Sequence, residues 1–152
     1  MSPFFSSHQV SYKRQIAAPL QTVLAFLHDP PALMGLSPVI VEVTVDPKDQ
    51  TKYSIVDSLL LPFGFRTRIS YTATIILHDD GMEAESAAGA GTRTHVRYTV
   101  RAVSEDKTEI EEVTTANCFF LLSPYIKGVI EKAHNETLDR MAAKLEGKEW
   151  PA

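Results

Sequence analysis

A chain of 152 residues with 44% hydrophobic and 22% charged side chains has the composition of an ordinary globular protein, long enough to bury roughly 70% of the surface its unfolded form exposes. Its net charge of −4, with Lys and Arg scattered among acids, argues against a nucleic-acid partner. The single Cys118 excludes an internal disulfide, "MSPFFSSHQ" lacks the basic and apolar regions of a signal peptide, and the longest apolar run, "CFFLL" at 118–122, is far short of the roughly 20 residues that span a bilayer. One cytoplasmic domain over 1–152, without integral membrane contact, is the expectation.

In chain order, residues 8–16 alternate, with Val10, Tyr12, Arg14 and Ile16 on one side, which predicts a strand with Arg14 as a polar exception on its apolar face. The period then changes: Leu20, Val23, Leu24 and Leu27 are spaced for a helix opened by Pro19 and closed before Pro30 and Pro31, and a second short helical turn ends at Gly35. "VIVEVTV" at 39–45 predicts a strand with Val39, Val41, Val43 and Val45 inward. Alternation recurs at 52–60, 66–77, 82–88, 92–103 and 108–118, making seven strands with the first. The segment 123–146, with Ser123 as N-cap and Pro124 as first helical residue, places Ile126, Ile130, Ala133, Thr137, Met141 and Leu145 on one face of a long helix.

Cross-strand charges test the sheet. A hairpin turn at "AGAG", 88–91, sets Glu83 opposite Arg97 and Glu85 opposite His95; a second turn near Glu105 sets Arg101 opposite Glu109. Both hairpins give one outer face, and the inner face then holds Ala84, Ser86, Thr94, Tyr98, Glu112 and Thr114 among its residues. Short and polar groups do not fill the space between a sheet and a helix to native density, so a cavity is expected.

"RQIAAPLQTVLAFLHDPPAL" at 14–33, a strand ending in Ile-x-Ala-Pro before a helix, and the closing helix "SPYIKGVIEKAHNETLDRMAAKLE" at 123–146 resemble the START-like, or helix-grip, superfamily. That group includes birch-pollen allergen proteins, lipid-transfer domains and polyketide cyclases. "LPFGFRTRISYTATI" and "GAGTRTHVRYTVRAV" are similar to small fungal members of unknown function. The resemblance covers nearly the whole chain and rests on architecture rather than catalytic motifs. It implies an α+β fold in which a curved seven-stranded antiparallel sheet wraps a long C-terminal helix, with two short helices after the first strand. It also implies a cavity for a small hydrophobic molecule, entered past loops at one end.

The apolar turn "LLLPFGFR", 59–66, would then be a lid bringing Phe63 and Phe65 to the ligand, or core packing by Leu59, Leu61 and Phe65. Membrane-surface docking is a third reading, disfavoured by the absence of a basic cluster beside the loop in sequence.

The inward polar residues are the candidate site. Glu112, Tyr98 and His134 form the expected catalytic set: His134 lies about 80° around the helix from Ile126 and would exchange protons alpha to a ketone, and tyrosine hydroxyls would hold the enolate. A bulge at Glu111 would undo the pairing of Glu112 with Tyr98. Arg14, Asp57, Phe63, Phe65, Tyr71, Thr94, Thr114, Cys118 and Ile130 are the expected ligand contacts, with an Arg14 ion pair to Glu112 or Asp57 as the structural alternative. Cys118, with no basic neighbour, reads as a small buried hydrophobe. His8, His28, His78, His95 and His134 show no metal spacing, and "GAGTRT" is no phosphate loop, so neither metal nor cofactor is expected. The functional expectation is a cofactor-independent cyclase, dehydratase or isomerase of polyketide-like products; a carrier of lipid, sterol or pigment is the alternative, and an interaction module that docks a partner or a second copy through the apolar loop is a third class. The chain is expected to be a monomer or homodimer.

Overall fold

A computed structural model describes residues 3–149 of the chain. Strand β1 (Phe5–Ile16) leads into helices α1 (Leu20–Leu27) and α2 (Pro30–Met34). Strands β2 (Ile40–Val45), β3 (Lys52–Leu60), β4 (Arg66–His78), β5 (Gly81–Ala87), β6 (Arg93–Ser104) and β7 (Lys107–Phe119) follow, and α3 (Ser123–Leu145) closes the order. The strands form one antiparallel sheet in the order β1-β7-β6-β5-β4-β3-β2. This is the helix-grip fold expected from the sequence.

Three prolines and an Asx cap set the helix boundaries. Pro19 precedes α1, and the Asp29 side chain accepts from Ala32 N (3.4 Å) at the head of α2, whose first turn is Pro30 and Pro31. The sheet register follows the side-chain alternation: Glu83 lies opposite Arg97, Glu85 opposite His95, Arg101 opposite Glu109, and Tyr98 opposite Glu112. No irregularity interrupts β7 at Glu111; the shift in this hairpin falls between Ala102 and Ser104. Gly81 is required where β4 turns into β5, because a Cβ there would lie 1.9 Å from the Tyr98 carbonyl oxygen.

Two local expectations are corrected. A bulge between Ile40 and Glu42 resets β2, so Ile40 and Val43 pack on the core while Val41 is 52% exposed and Val45 also faces out. Ser123 does not cap α3: Leu122 holds the cap position without a side-chain bond, and the Ser123 hydroxyl instead pairs with His8 Nε2.

The molecule has two unlike ends. At one end lie the turns after β2, β4 and β6, together with α1 and the C-terminal half of α3. There Ile16, Val23, Leu27, Ile110, Leu138 and Met141 are fully buried. At the other end the start of β1, the β3–β4 and β5–β6 loops and the β7–α3 connection come together, since Phe5 pairs with Phe119 and Arg93 with Asn117. The packing of α3 falls on β1 and β7, which leaves the inner face of β3–β6 facing a gap. No helix among the described residues is long and apolar enough to cross a membrane.

Candidate functional site: a cavity with a buried glutamate–histidine pair

The gap is a cavity of about 700 Å³ between the sheet and α3, within the usual range of ligand pockets, about 300–1,000 Å³. Small side chains make it. Ala73, Ala84, Ser86 and Thr94 occupy inner-face positions of β4, β5 and β6 where Leu or Phe would close the space. Val129, Ile130 and Ala133 of α3 form the opposite wall. The mouth is bordered by Leu59 and Leu61, by Gly89 and Ala90 of the β5–β6 loop, and by Leu122.

The wall is mostly apolar, and its polar groups fall into two sets. In the first, His134 lines the cavity and points Nδ1 away from it, to Glu112 Oε1. Glu112 is fully buried behind the wall, where Thr114 Oγ1 donates to the same Oε1 (2.7 Å) and lies 3.3 Å from His134 Nδ1. Burial pushes the Glu112 carboxyl up, but the hydrogen bond and charge of His134, with lesser help from Thr114 and Tyr98, outweigh it and hold Glu112 below the usual carboxylate range. His134 is a quarter exposed, and its Nε2 makes no hydrogen bond among the described residues. The imidazole is thus anchored on one nitrogen and open on the other.

Tyr98 lines the cavity opposite Glu112. Burial, and secondarily the Glu112 charge, push its phenol well above the ordinary value. Glu112 Oε2 has no hydrogen-bond partner among the described residues, nor has the buried hydroxyl of Tyr12, the β1 register partner of Glu112. Burial, then Glu131 and Glu112, raise the Tyr12 phenol.

The second set is Asp57 and Tyr71, both lining the cavity, with Tyr71 Oη donating to Asp57 Oδ1 at 3.2 Å. Burial raises the Asp57 carboxyl to about 6, opposed by the Tyr71 hydrogen bond and by the charge of His134. Burial and the Asp57 charge raise Tyr71 in turn.

The structure thus brings Glu112, Tyr98, His134, Asp57, Tyr71, Thr94, Thr114 and Ile130 to the cavity or directly behind its wall. Four expected ligand contacts lie elsewhere. Arg14 extends along α3, giving Nε to Asp139 (2.9 Å) and a terminal nitrogen to Asn135 (2.8 Å), so it pairs with neither Glu112 nor Asp57 and leaves the cavity wall. Phe63 and Phe65 are 96% and 69% exposed, turned outward at the mouth, while Leu59 and Leu61 face in. Cys118 is buried beside Ser123, its thiol raised by burial, outside the cavity lining. Tyr12 was not a site candidate from sequence; its inward position in β1 was the signal.

On the outer face, the register that sets Glu85 opposite His95 brings donor atoms of Glu83, Glu85 and His95 within 4.8 Å of one another. Within it Glu83 pairs with His95 (2.6 Å) and, outside it, with His78 (2.8 Å), and those hydrogen bonds lower its carboxyl.

Among solved structures the fold has many likenesses. A START superfamily protein from Mycobacterium smegmatis aligns with TM-score 0.70 and 11% identity, over 92% of this chain and 98% of that one. The Zhui aromatase/cyclase from Streptomyces sp. R1128 gives TM-score 0.69 and 11% identity, over 93% and 94%. A norcoclaurine synthase point mutant from Thalictrum flavum, in complex with a transition-state analogue, gives TM-score 0.67 and 13% identity, over 93% and 95%. At such identity the likeness establishes the START-like fold alone. A comparison with curated protein sequences finds no match. Residues 16–147 match the family described as "Domain of unknown function (DUF7053)", and the chain belongs to that family.

Proposed function

We propose that the protein takes a small hydrophobic molecule into the cavity and acts on it without a cofactor, as a cyclase, dehydratase or isomerase of polyketide-like compounds. The observation that carries this reading is the Glu112–His134 pair set into the wall of an otherwise apolar cavity. An ionised carboxylate on Nδ1 fixes the imidazole tautomer and leaves Nε2 as a base toward the guest. Glu112 is then a positioning residue, and His134 is the catalytic base.

In the proposed reaction His134 Nε2 removes a proton from the carbon next to a ketone. The Tyr98 hydroxyl, which stays protonated at any physiological pH, donates to the enolate oxygen. Asp57, with its carboxyl raised to about 6, supplies a proton to a departing hydroxyl and is held by Tyr71. Both the aromatase/cyclase and the synthase among the structural neighbours are named for transformations of organic small molecules, which supports this class without fixing the substrate.

Incubation with a poly-β-ketone, followed by mass spectrometry, tests the reading. His134→Ala and Glu112→Gln are expected to lower turnover by about 10²–10⁴-fold, the usual contribution of a positioned acid or base. Equal rates in wild type, Glu112→Gln, Tyr98→Phe and His134→Ala would remove the catalytic assignment.

The mostly apolar wall favours a second reading, a carrier of lipid, sterol or pigment. It predicts a passenger retained in native mass spectra of the protein as purified, and no turnover.

A further inference from the structure

The cavity mouth has a surface unlike the rest of the molecule. Phe63, Phe65, Leu60, Phe120 and Leu121 are exposed there, from 44% for Phe120 to 96% for Phe63. Tyr125 ties the two loops that carry them, its hydroxyl donating to the Leu60 carbonyl oxygen at 3.2 Å. Phe63 holds φ 71°, a left-handed conformation that a bulky residue adopts at a cost, and it presents its ring to solvent. Buried apolar side chains elsewhere do not account for this cluster, since it sits outside the core.

Charge divides along the same axis. Segments 58–78, 86–104 and 113–130 meet at the mouth through their loops and contain no Asp or Glu. They bring Arg66, Arg93 and Lys127 to the mouth end, all exposed. Arg66 and Arg93 make no ion pair among the described residues, and Lys127 has only a 3.9 Å contact with Glu131. The turns at the opposite end hold Asp46, Asp49, Asp79, Asp80, Glu105 and Asp106. A chain of net charge −4 therefore keeps acids out of the loops at its mouth and gathers several in the turns at the far end. The basic cluster missing beside the loop in sequence is assembled from three segments in the fold.

We infer that the mouth end docks on a lipid bilayer surface rich in anionic lipid, with Phe63 and Phe65 entering the acyl boundary and Arg66, Arg93 and Lys127 at the head groups. Apolar side chains bordered by cations, with Glu131 beside Lys127 the one acid in ion-pair contact with them among the described residues, suit an interface that is oily at its centre and negatively charged around it. A protein partner or a second copy would require neither the acid-free loops nor unpaired guanidinium groups. Docked in this way, the cavity opens onto the bilayer, so an apolar guest passes between lipid and protein without crossing water. The inference rests on the mouth surface and stands apart from what the cavity does with its guest.

Flotation of the full chain with vesicles tests it, using phosphatidylcholine alone and phosphatidylcholine mixed with phosphatidylserine. The chain is expected to float with the mixed vesicles and far less with neutral ones. Removing a cation at an anionic surface costs about fivefold in partitioning, so Arg66→Ala with Arg93→Ala is expected to lose about twenty-fivefold. Phe63→Ser with Phe65→Ser is expected to lose at least about tenfold. Glu105→Gln with Asp106→Asn, at the far end, is expected to float as wild type. All these side chains are exposed, and circular dichroism of each variant is the check that it is folded. A chain that stays unbound with both vesicle types, that floats equally on both, or whose phenylalanine variant floats as wild type overturns the inference. So does sedimentation without lipid that shows a dimer abolished by Phe63→Ser with Phe65→Ser, which assigns the face to a second copy.

Discussion

The same sheet and the same helix build a solid end and a hollow one. Where Ile16, Ile110, Leu138 and Met141 meet, large side chains interlock and exclude solvent completely. Where Ala73, Ala84, Ser86 and Thr94 face Val129 and Ile130, the elements continue but the side chains stop short, and about 700 Å³ is left open. The difference is one of side-chain volume at inner-face positions, and it assigns stability to one end and binding to the other.

The largest effect is expected at the solid end. Leu138→Ala should cost about 2–5 kcal/mol in urea unfolding through transfer and cavity terms, while leaving the hollow intact. A comparable loss of guest binding without loss of stability would show that the two ends are not separable in this way.

The next effect comes from a charge at the hollow end. The Asp57 carboxyl titrates at about 6 in the folded chain, above its ordinary 3.8, so the folded state binds the extra proton. Stability from that proton is complete below the unfolded value and is lost as pH rises through about 6. Asp57→Asn should therefore stabilise the chain by up to about 3 kcal/mol above that range and leave it unchanged near pH 3. Unfolding midpoints measured across pH check the sign. Glu112 works in the opposite sense: its depressed carboxyl contributes stability that is present above the ordinary value and lost as pH falls through the folded one. Glu112→Gln should flatten that acid limb.

The smallest expected change in stability, under about 1 kcal/mol, is that of Ala84→Phe, which grows into open space rather than into packed atoms. Its effect on binding should be large. The contrast between those two readouts sharpens the division between the ends.

Much of this division is legible in the sequence. Period-2 alternation, checked by opposite charges across two hairpins, places Ala84, Ser86, Thr94 and Tyr98 on one face and sets Glu112 opposite Tyr98, and helix phase then brings His134 within reach of the pair. The misreadings have specific causes. At β2 a one-residue bulge leaves the Val alternation intact in sequence while turning Val41 outward. Arg14 starts inward, but its long side chain runs to Asp139 and Asn135, so the direction of the strand position does not tell where the charge ends. Phe63 and Phe65 sit in a turn whose backbone, not its hydrophobicity, decides their direction. The set of cations at the mouth was illegible because its members are far apart in sequence and meet only when antiparallel strands stack their loops at one end.

Titration of an apolar fluorescent probe, anilinonaphthalene sulfonate, into wild type and Ala84→Phe tests the hollow most directly. Saturable binding at one site in the wild type, weakened at least about tenfold in the variant at an unchanged unfolding midpoint, is the predicted result. Equal binding by the two proteins would contradict a guest site between sheet and helix.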